Sequence, residues 1–328
     1  MSSYHARSVF ASLLLMPMVF ACCDRADPGT QEVASTAATS APPTTPRVDS
    51  AAASVAASST PVAYQDAERA FHQGSYADAE QLFASYRGQH PDNPWGHYMY
   101  GLAAWKAGRP AEALAGFDEA LRLDPEHRKS LFNSARVLLE TGQPEQALER
   151  VERGLSLEPL SAEGHRLLGR ARVELGQFPQ AIEAYQRAIA IDDRDVWSMN
   201  NLGLLYIQQG QSDQALAPLA RAAELRPGSP VFQNNLGTAL ERTGHYPEAK
   251  AAYEAAVAAD SSYAKSVASL ERVSGLAQSG DTTTIDLAEV SREYQAAVGQ
   301  LRDTTGASDT VTVQASVEEM APDSSTQQ

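Results

Sequence analysis

Two cysteines are all that the 328 residues contain, and they are neighbours, Cys22 and Cys23. Adjacent thiols near one end cannot staple distant parts of a fold, so no disulfide framework exists. No Cys/His cluster has zinc spacing, and no metal or other cofactor is expected. Positive charge is in deficit, with 26 Lys and Arg against 41 Asp and Glu and a net charge of -15. That balance favours solubility and repels phosphates, which excludes nucleic acid as a natural partner. Aromatics are only 7% of the residues. There is no phosphate-cradling glycine loop, no HExxH and no nucleophile elbow. Ser262-Tyr263-Ala264-Lys265 fits a serine–lysine pattern by letters alone, with no supporting motif. Asp192, Asp193 and Asp195 form an acidic loop, read as a solvated helix end. An enzyme is not expected.

Long apolar runs are also scarce. Val9 to Phe20 is about a dozen mostly apolar residues after a weakly basic start, the length of a signal h-region and short of the ~20 needed to span a bilayer. Residues 1–21 therefore read as an export signal. The run ends in Val19-Phe20-Ala21-Cys22, which resembles the lipobox of bacterial lipoproteins. The resemblance implies diacylation of Cys22 (palmitate or a similar chain) and cleavage before it. An ordinary secretory signal cut after Ala21 is the alternative. Asp24 lies at +3 rather than at the +2 position read as inner-membrane retention, so the anchoring membrane stays open, with the periplasmic side of the outer membrane preferred. Residues 22–59 are a linker of Ala, Ser, Thr and Pro without an aromatic, too poor in apolar area to offset its ordering entropy. As a coil it would span roughly 30–35 Å.

From residue 60 onward a period of 34 residues governs the chain. One phase holds Gly74, Gly108, Gly142, Gly176, Gly210 and Gly244, and another holds Ala79, Ala113, Ala147, Ala181, Ala215 and Ala249. A third holds Pro91, Pro125, Pro159 and Pro227, with Asp193 and Ser261 in the remaining slots. Registers that agree over six periods mark a solenoid of helical hairpins. The glycines fall at the turn inside each hairpin, where positive φ is needed. Pro110, Pro144, Pro179 and Pro247 fall in the first turn of the second helix, where a missing N–H is harmless. Pro218 lies inside such a helix and should bend it. His97 and His165 share a repeat position two hairpins apart, too far to form one site, and should pack between helices.

The residues at each position resemble the tetratricopeptide repeat. In 196–229 they are Met199, Leu202-Gly203, Tyr206, Ala215, Leu219, Ala222 and Pro227. The resemblance implies an all-α, right-handed solenoid of six hairpins, 60–93, 94–127, 128–161, 162–195, 196–229 and 230–263. A capping helix is expected over 264–278 and a disordered tail over 304–328. In 284–303, Leu287, Val290, Tyr294, Ala297 and Leu301 form an amphipathic stripe. It reads as a second cap, or as a segment that docks in the groove or pairs two copies into a homodimer.

In this family, positions on the first helix of each hairpin line the concave face. The phase gives a peptide-binding groove of Trp95, Tyr98, Trp105, Asn133, Arg136, Arg166, Arg170, Trp197, Asn200, Asn201, Asn234 and Asn235. Asn133, Asn201 and Asn235 share one position and resemble the asparagine ladder of the O-GlcNAc transferase solenoid, whose amides grip a peptide backbone. An amide suits this because it offers both donor and acceptor. The ladder is broken at Gln65, Met99 and Leu167. Asparagine on a merely solvated helix face is the competing reading, as is Trp197 covering a neighbouring repeat. Arg136, Arg166 and Arg170, flanked by Glu140, Glu163 and Glu174, read either as a seat for a carboxylate-bearing segment or as a self-neutralising network. The expected function is a lipid-anchored, non-catalytic scaffold of the bacterial envelope that binds an extended partner segment. Alternatives are an accessory subunit presenting a substrate peptide to an envelope enzyme, or a pilotin-like assembly factor.

Overall fold

Each 34-residue period folds into two antiparallel helices. In chain order the pairs are α1 (Tyr64–His72) with α2 (Tyr76–Gln89), α3 (Pro94–Lys106) with α4 (Pro110–Leu123), and α5 (Arg128–Glu140) with α6 (Pro144–Leu157). They continue with α7 (Ala162–Glu174) and α8 (Phe178–Ile191), α9 (Val196–Gln208) and α10 (Ser212–Leu225), and α11 (Pro230–Arg242) and α12 (Tyr246–Ala259). Two single helices follow, α13 (Ala264–Leu276) and α14 (Leu287–Thr304). The computed structural model describes residues 63–276 and 284–304; the expected signal, Cys22, the linker and the tail after 304 lie outside them. Among the described residues there is no strand, and no helix is long and apolar enough to cross a membrane. The architecture is an all-α solenoid.

The two helices of a pair begin differently, for a reason written in each period. From α3 to α11 the first helices are capped by a side chain in constant phase, whereas α1, which starts after Ala63, is not. Asn93 accepts from the Trp95 N–H at 3.0 Å, Ser161 from Gly164 at 3.1 Å, Ser229 from Phe232 at 3.5 Å, and Asp195 from both Trp197 and Ser198 at 3.2 Å. Each satisfies a donor that the helix start leaves orphaned. Second helices lack a side-chain cap and instead follow a glycine of positive φ, 71° to 83° at all six turns. In that region a side chain would meet its own backbone.

Close approach within a pair depends on a second glycine. A Cβ built on Gly237 would lie 2.6 Å from the Tyr253 ring, and one on Gly203 would collide with Leu219. The large residue of the second helix thus sits directly on the backbone of the first. Tyr253, Phe117 and Leu219 are fully buried as a result. α10 runs unbroken through Pro218.

α13 packs on α11 and α12 and buries Val273 and Ser266, leaving Val267 and Leu276 more than a third exposed. α14 does not cover that end. It turns back over α8 and α10, where Val290, Tyr294 and Val298 join the core of the fourth to sixth hairpins. Its stripe is therefore consumed by its own chain. The Arg302 guanidinium bonds the Ala190 carbonyl at 3.0 Å and Asp193 at 3.1 Å, and Ser291 donates to Glu224.

Candidate binding surface

All twelve predicted groove residues lie on first helices, α3, α5, α7, α9 and α11. They fall into three stretches with different chemistry.

The first is aromatic. Trp95 and Tyr98 stand one helical turn apart on α3, ring centroids 5.0 Å apart, and His127 packs against both at 5.5 and 5.0 Å. Trp95 Nε1 donates to the Tyr64 hydroxyl at 2.6 Å, and Asn133 Nδ2 donates to the Tyr98 hydroxyl at 3.2 Å. Burial pushes the Tyr98 phenol up to about 12, and the same cause lowers His127. A neutral His127 is what its place requires, since Nδ1 accepts from the Ser130 N–H at 3.2 Å. Trp95 remains 38% exposed, with Lys129 Nζ 5.1 Å from its ring centre, a cation–π distance.

The middle stretch is ionic. Trp105 Nε1 donates to Glu140 at 2.7 Å, and the Arg136 guanidinium lies 5.5 Å from the Trp105 ring while donating to Glu163 at 2.5 Å. Arg166 reaches forward to Asp195 and bonds both oxygens at 3.0 Å. The sequence alone puts Asp195 in a solvated acidic loop. It is instead buried, accepting also from the Ser198 hydroxyl at 2.6 Å, because it caps α9 and anchors Arg166 together. Arg170 is likewise buried; burial raises the neighbouring Glu174 carboxyl, and Arg170 partly opposes that rise. The arginines thus do not present an open basic field.

The third stretch is a relay of amides. Ser266 donates to Asn234 at 3.2 Å, Asn234 to Asn235 at 3.4 Å, Asn235 to Asn200 at 2.8 Å, and Asn200 to Asn201 at 3.5 Å. Asn200, Asn234 and Asn235 are buried, and Asn201 is half-buried at the relay's end. The shared donor–acceptor character of the amide is present, but these side chains use it on one another, between α9, α11 and α13. Trp197 packs edge-on against Phe232 of the next hairpin at 5.1 Å.

Sequence reasoning missed several members of this seam. Tyr64 shares its repeat position with Tyr98, and Arg272 shares one with Arg136 and Arg170, so the phase itself pointed to both. Arg272 grips Glu241 through two bonds of 2.7 and 2.6 Å, which holds that carboxyl below its usual range. His97, His165 and Gln233 share another position. Each bonds the closing proline carbonyl of the preceding repeat, Pro91, Pro159 or Pro227, at 2.9, 3.0 and 3.3 Å. Their role is to join hairpins.

These observations define a repeat scaffold whose first helices are stitched side by side. Three family models match it: one described as TPR repeat over residues 169–210, and two described as tetratricopeptide repeat, over 104–171 and over 64–128 with 200–264. Together they run unbroken from 64 to 264, more than half of the sequence. The chain belongs to the tetratricopeptide repeat family. Among solved structures, a tetratricopeptide repeat protein from Parabacteroides merdae is 14% identical, with a TM-score of 0.53, over 64% of this chain and 82% of its own. The Cut9–Hcn1 hetero-tetramer of the APC/C is also 14% identical, with a TM-score of 0.57, over 64% of this chain and 42% of that one. MamA from Desulfovibrio magneticus RS-1 is 25% identical over 50% of this chain and 93% of its own, with a TM-score of 0.47. No curated protein matches the sequence.

Proposed function

We propose that the chain is a lipid-anchored, non-catalytic interaction scaffold of the bacterial envelope, which holds an extended segment of another protein along its first helices. The observation that carries this reading is the stitching itself. Contacts such as Trp95 to Tyr64, Arg166 to Asp195 and Asn235 to Asn200 tie consecutive first helices into one continuous face. Extended surfaces of that kind are what solenoids use for binding. The face divides labour. Arg166, Asn200, Asn234 and Asn235 hold the hairpins together, while Trp95, Lys129, Trp105 and Asn201 remain at least partly open to a partner. Aromatic residues with a nearby cation are common anchors of interfaces. Pairing of two copies through the apolar stripe of 284–303 would first require α14 to leave α8 and α10. Anchoring rests on Cys22 and export on residues 1–21.

A photo-crosslinking residue at Lys129, compared with one at Glu254 on α12, tests the face in intact cells. Adducts with a second protein are expected from position 129 alone, reduced by Trp95→Ala. Equal adducts from both positions, or none from 129, would remove the face from consideration. Palmitate labelling of the wild type against Cys22→Ser tests the anchor separately.

A further inference from the structure

Beside α14 lies a cavity that the scaffold reading does not use. It lies between α14 and the helices α8, α9 and α10, and has a volume of about 340 Å³. We propose that it binds a neutral, largely apolar small molecule of about two fused rings that carries one hydroxyl.

The cavity has identifiable causes. Ala217 on α10 and Ala297 on α14 both line it with no more than a methyl group. Pro218 lies beside Ala217 and has no N–H, so the Gln214 carbonyl loses its helical donor within a segment that also lines the space. Ionic and hydrogen-bonded clamps hold α14 at both ends. Arg302 grips Asp193 and the Ala190 carbonyl at one end, and at the other the Ile285 N–H donates to Glu248 at 3.3 Å. Between them, Val298 is buried and the half-buried Tyr294 packs against the core. The space is thus bridged by a fixed helix rather than left by a loose one.

Its chemistry selects the occupant. Ile189 and Leu202, 1% and 2% exposed, form an apolar floor. Among the described residues no charged side chain lines it, so an ionised ligand would lose its hydration without a counter-ion. Polarity is confined to a few groups. The Tyr206 hydroxyl is already engaged with Gln186, whereas that of Tyr294 bonds no described residue although burial pushes its phenol up. Tyr294 is half-buried, so its hydroxyl stays within reach of solvent and of a ligand. One ligand hydroxyl would satisfy Tyr294. An apolar cavity of ~150 Å³ accommodates one benzene ring, so this one fits roughly two.

The test uses 2-naphthol with the full chain, followed by its fluorescence and by hydrogen exchange of residues 287–304. Saturable one-to-one binding is expected, together with slower exchange across α14. Ala217→Leu fills the space from the solenoid side and should weaken binding at least about tenfold, and Ala297→Leu, which fills it from α14, should do the same. Exchange of α14 without the probe shows whether each variant keeps the helix docked. Tyr294→Phe should weaken binding several-fold, and 2-naphthoate, which is ionised, should not bind. Absence of saturable binding overturns the proposal, as does undiminished binding by both filled variants that keep α14 docked. Preference for the naphthoate overturns it as well.

Discussion

The first two hairpins and the last two share one backbone plan but join their neighbours with opposite chemistry. Between α1, α3 and α5 the contact is made by rings, with Trp95, Tyr98 and His127 leaning on one another and tipped by single bonds to Tyr64 and Asn133. Between α9, α11 and α13 it is made chiefly by amides, each fixed by the next in line, beside one ring contact of Trp197 on Phe232. Ring contacts depend little on direction and leave a face of Trp95 open. An amide relay is directional and closed, since a buried amide that loses its partner bears the full desolvation penalty. The hairpins on which α14 lies are the fourth and fifth, whose core merges with the sixth in one apolar cluster, whereas the first two pack in a cluster of their own. The solenoid therefore closes its polar side chains on one another in the later hairpins and keeps aromatic surface available in the first ones.

The strongest way to break that contrast is through the core. Tyr253→Ala removes a fully buried ring that rests on Gly237 and should cost about 3–5 kcal/mol. Loss of hydrogen-exchange protection should be concentrated in α11, α12 and α13, with α3 and α4 little changed. Uniform loss across all hairpins would mean that the two ends are not separable.

A smaller effect compares the joints directly. Asn235→Ala strands the buried Asn200 carbonyl and should cost about 1–3 kcal/mol. Asn133→Ala touches a half-buried joint dominated by rings and should cost less than about 1 kcal/mol, because the Tyr98 hydroxyl sheds only one neutral bond. Equal losses in chemical denaturation would erase the distinction.

The least effect is in pH. His127 has its folded pKa below the ordinary imidazole value, because burial disfavours the charged ring. Its contribution is complete above the ordinary value and is lost as the pH falls below it, when the unfolded chain takes up the proton more readily. Glu241, lowered by Arg272, keeps its contribution until the pH falls through the carboxylate range. Stability of the first hairpins should therefore decline between about pH 7 and pH 5, before that of the last ones. His127→Asn retains a capping acceptor without titrating and should flatten that decline. Intrinsic-rate-corrected hydrogen exchange at the two pH values measures it, and an unchanged slope in the variant would assign the decline elsewhere.

The hairpins, their turns and their family were legible because every cause lies within one period. Gly210, Ala215 and Asp195 act on backbone a few residues away, and six copies of the pattern repeat the same local instruction. The position of the candidate surface on the first helices was legible by the same phase. Which of its residues are open was not. Asn235 and Asn200 stand 35 positions apart, and Arg166 and Asp195 stand 29 apart. Neither pairing has a signature inside a single repeat, since Asn on a helix face reads the same whether water or another amide is its partner.

By itself, then, the sequence determined the number of hairpins, where each turns, and which helix of each pair carries the polar and aromatic side chains, since period and backbone preference are local properties. Tertiary structure alone decided that the amides would close on one another, that Asp195 would be buried as cap and counter-ion, and that α14 would lie across α8 and α10 above a cavity. Those outcomes depend on where residues dozens of positions apart meet after stacking, and on which of several available partners is nearest once they do.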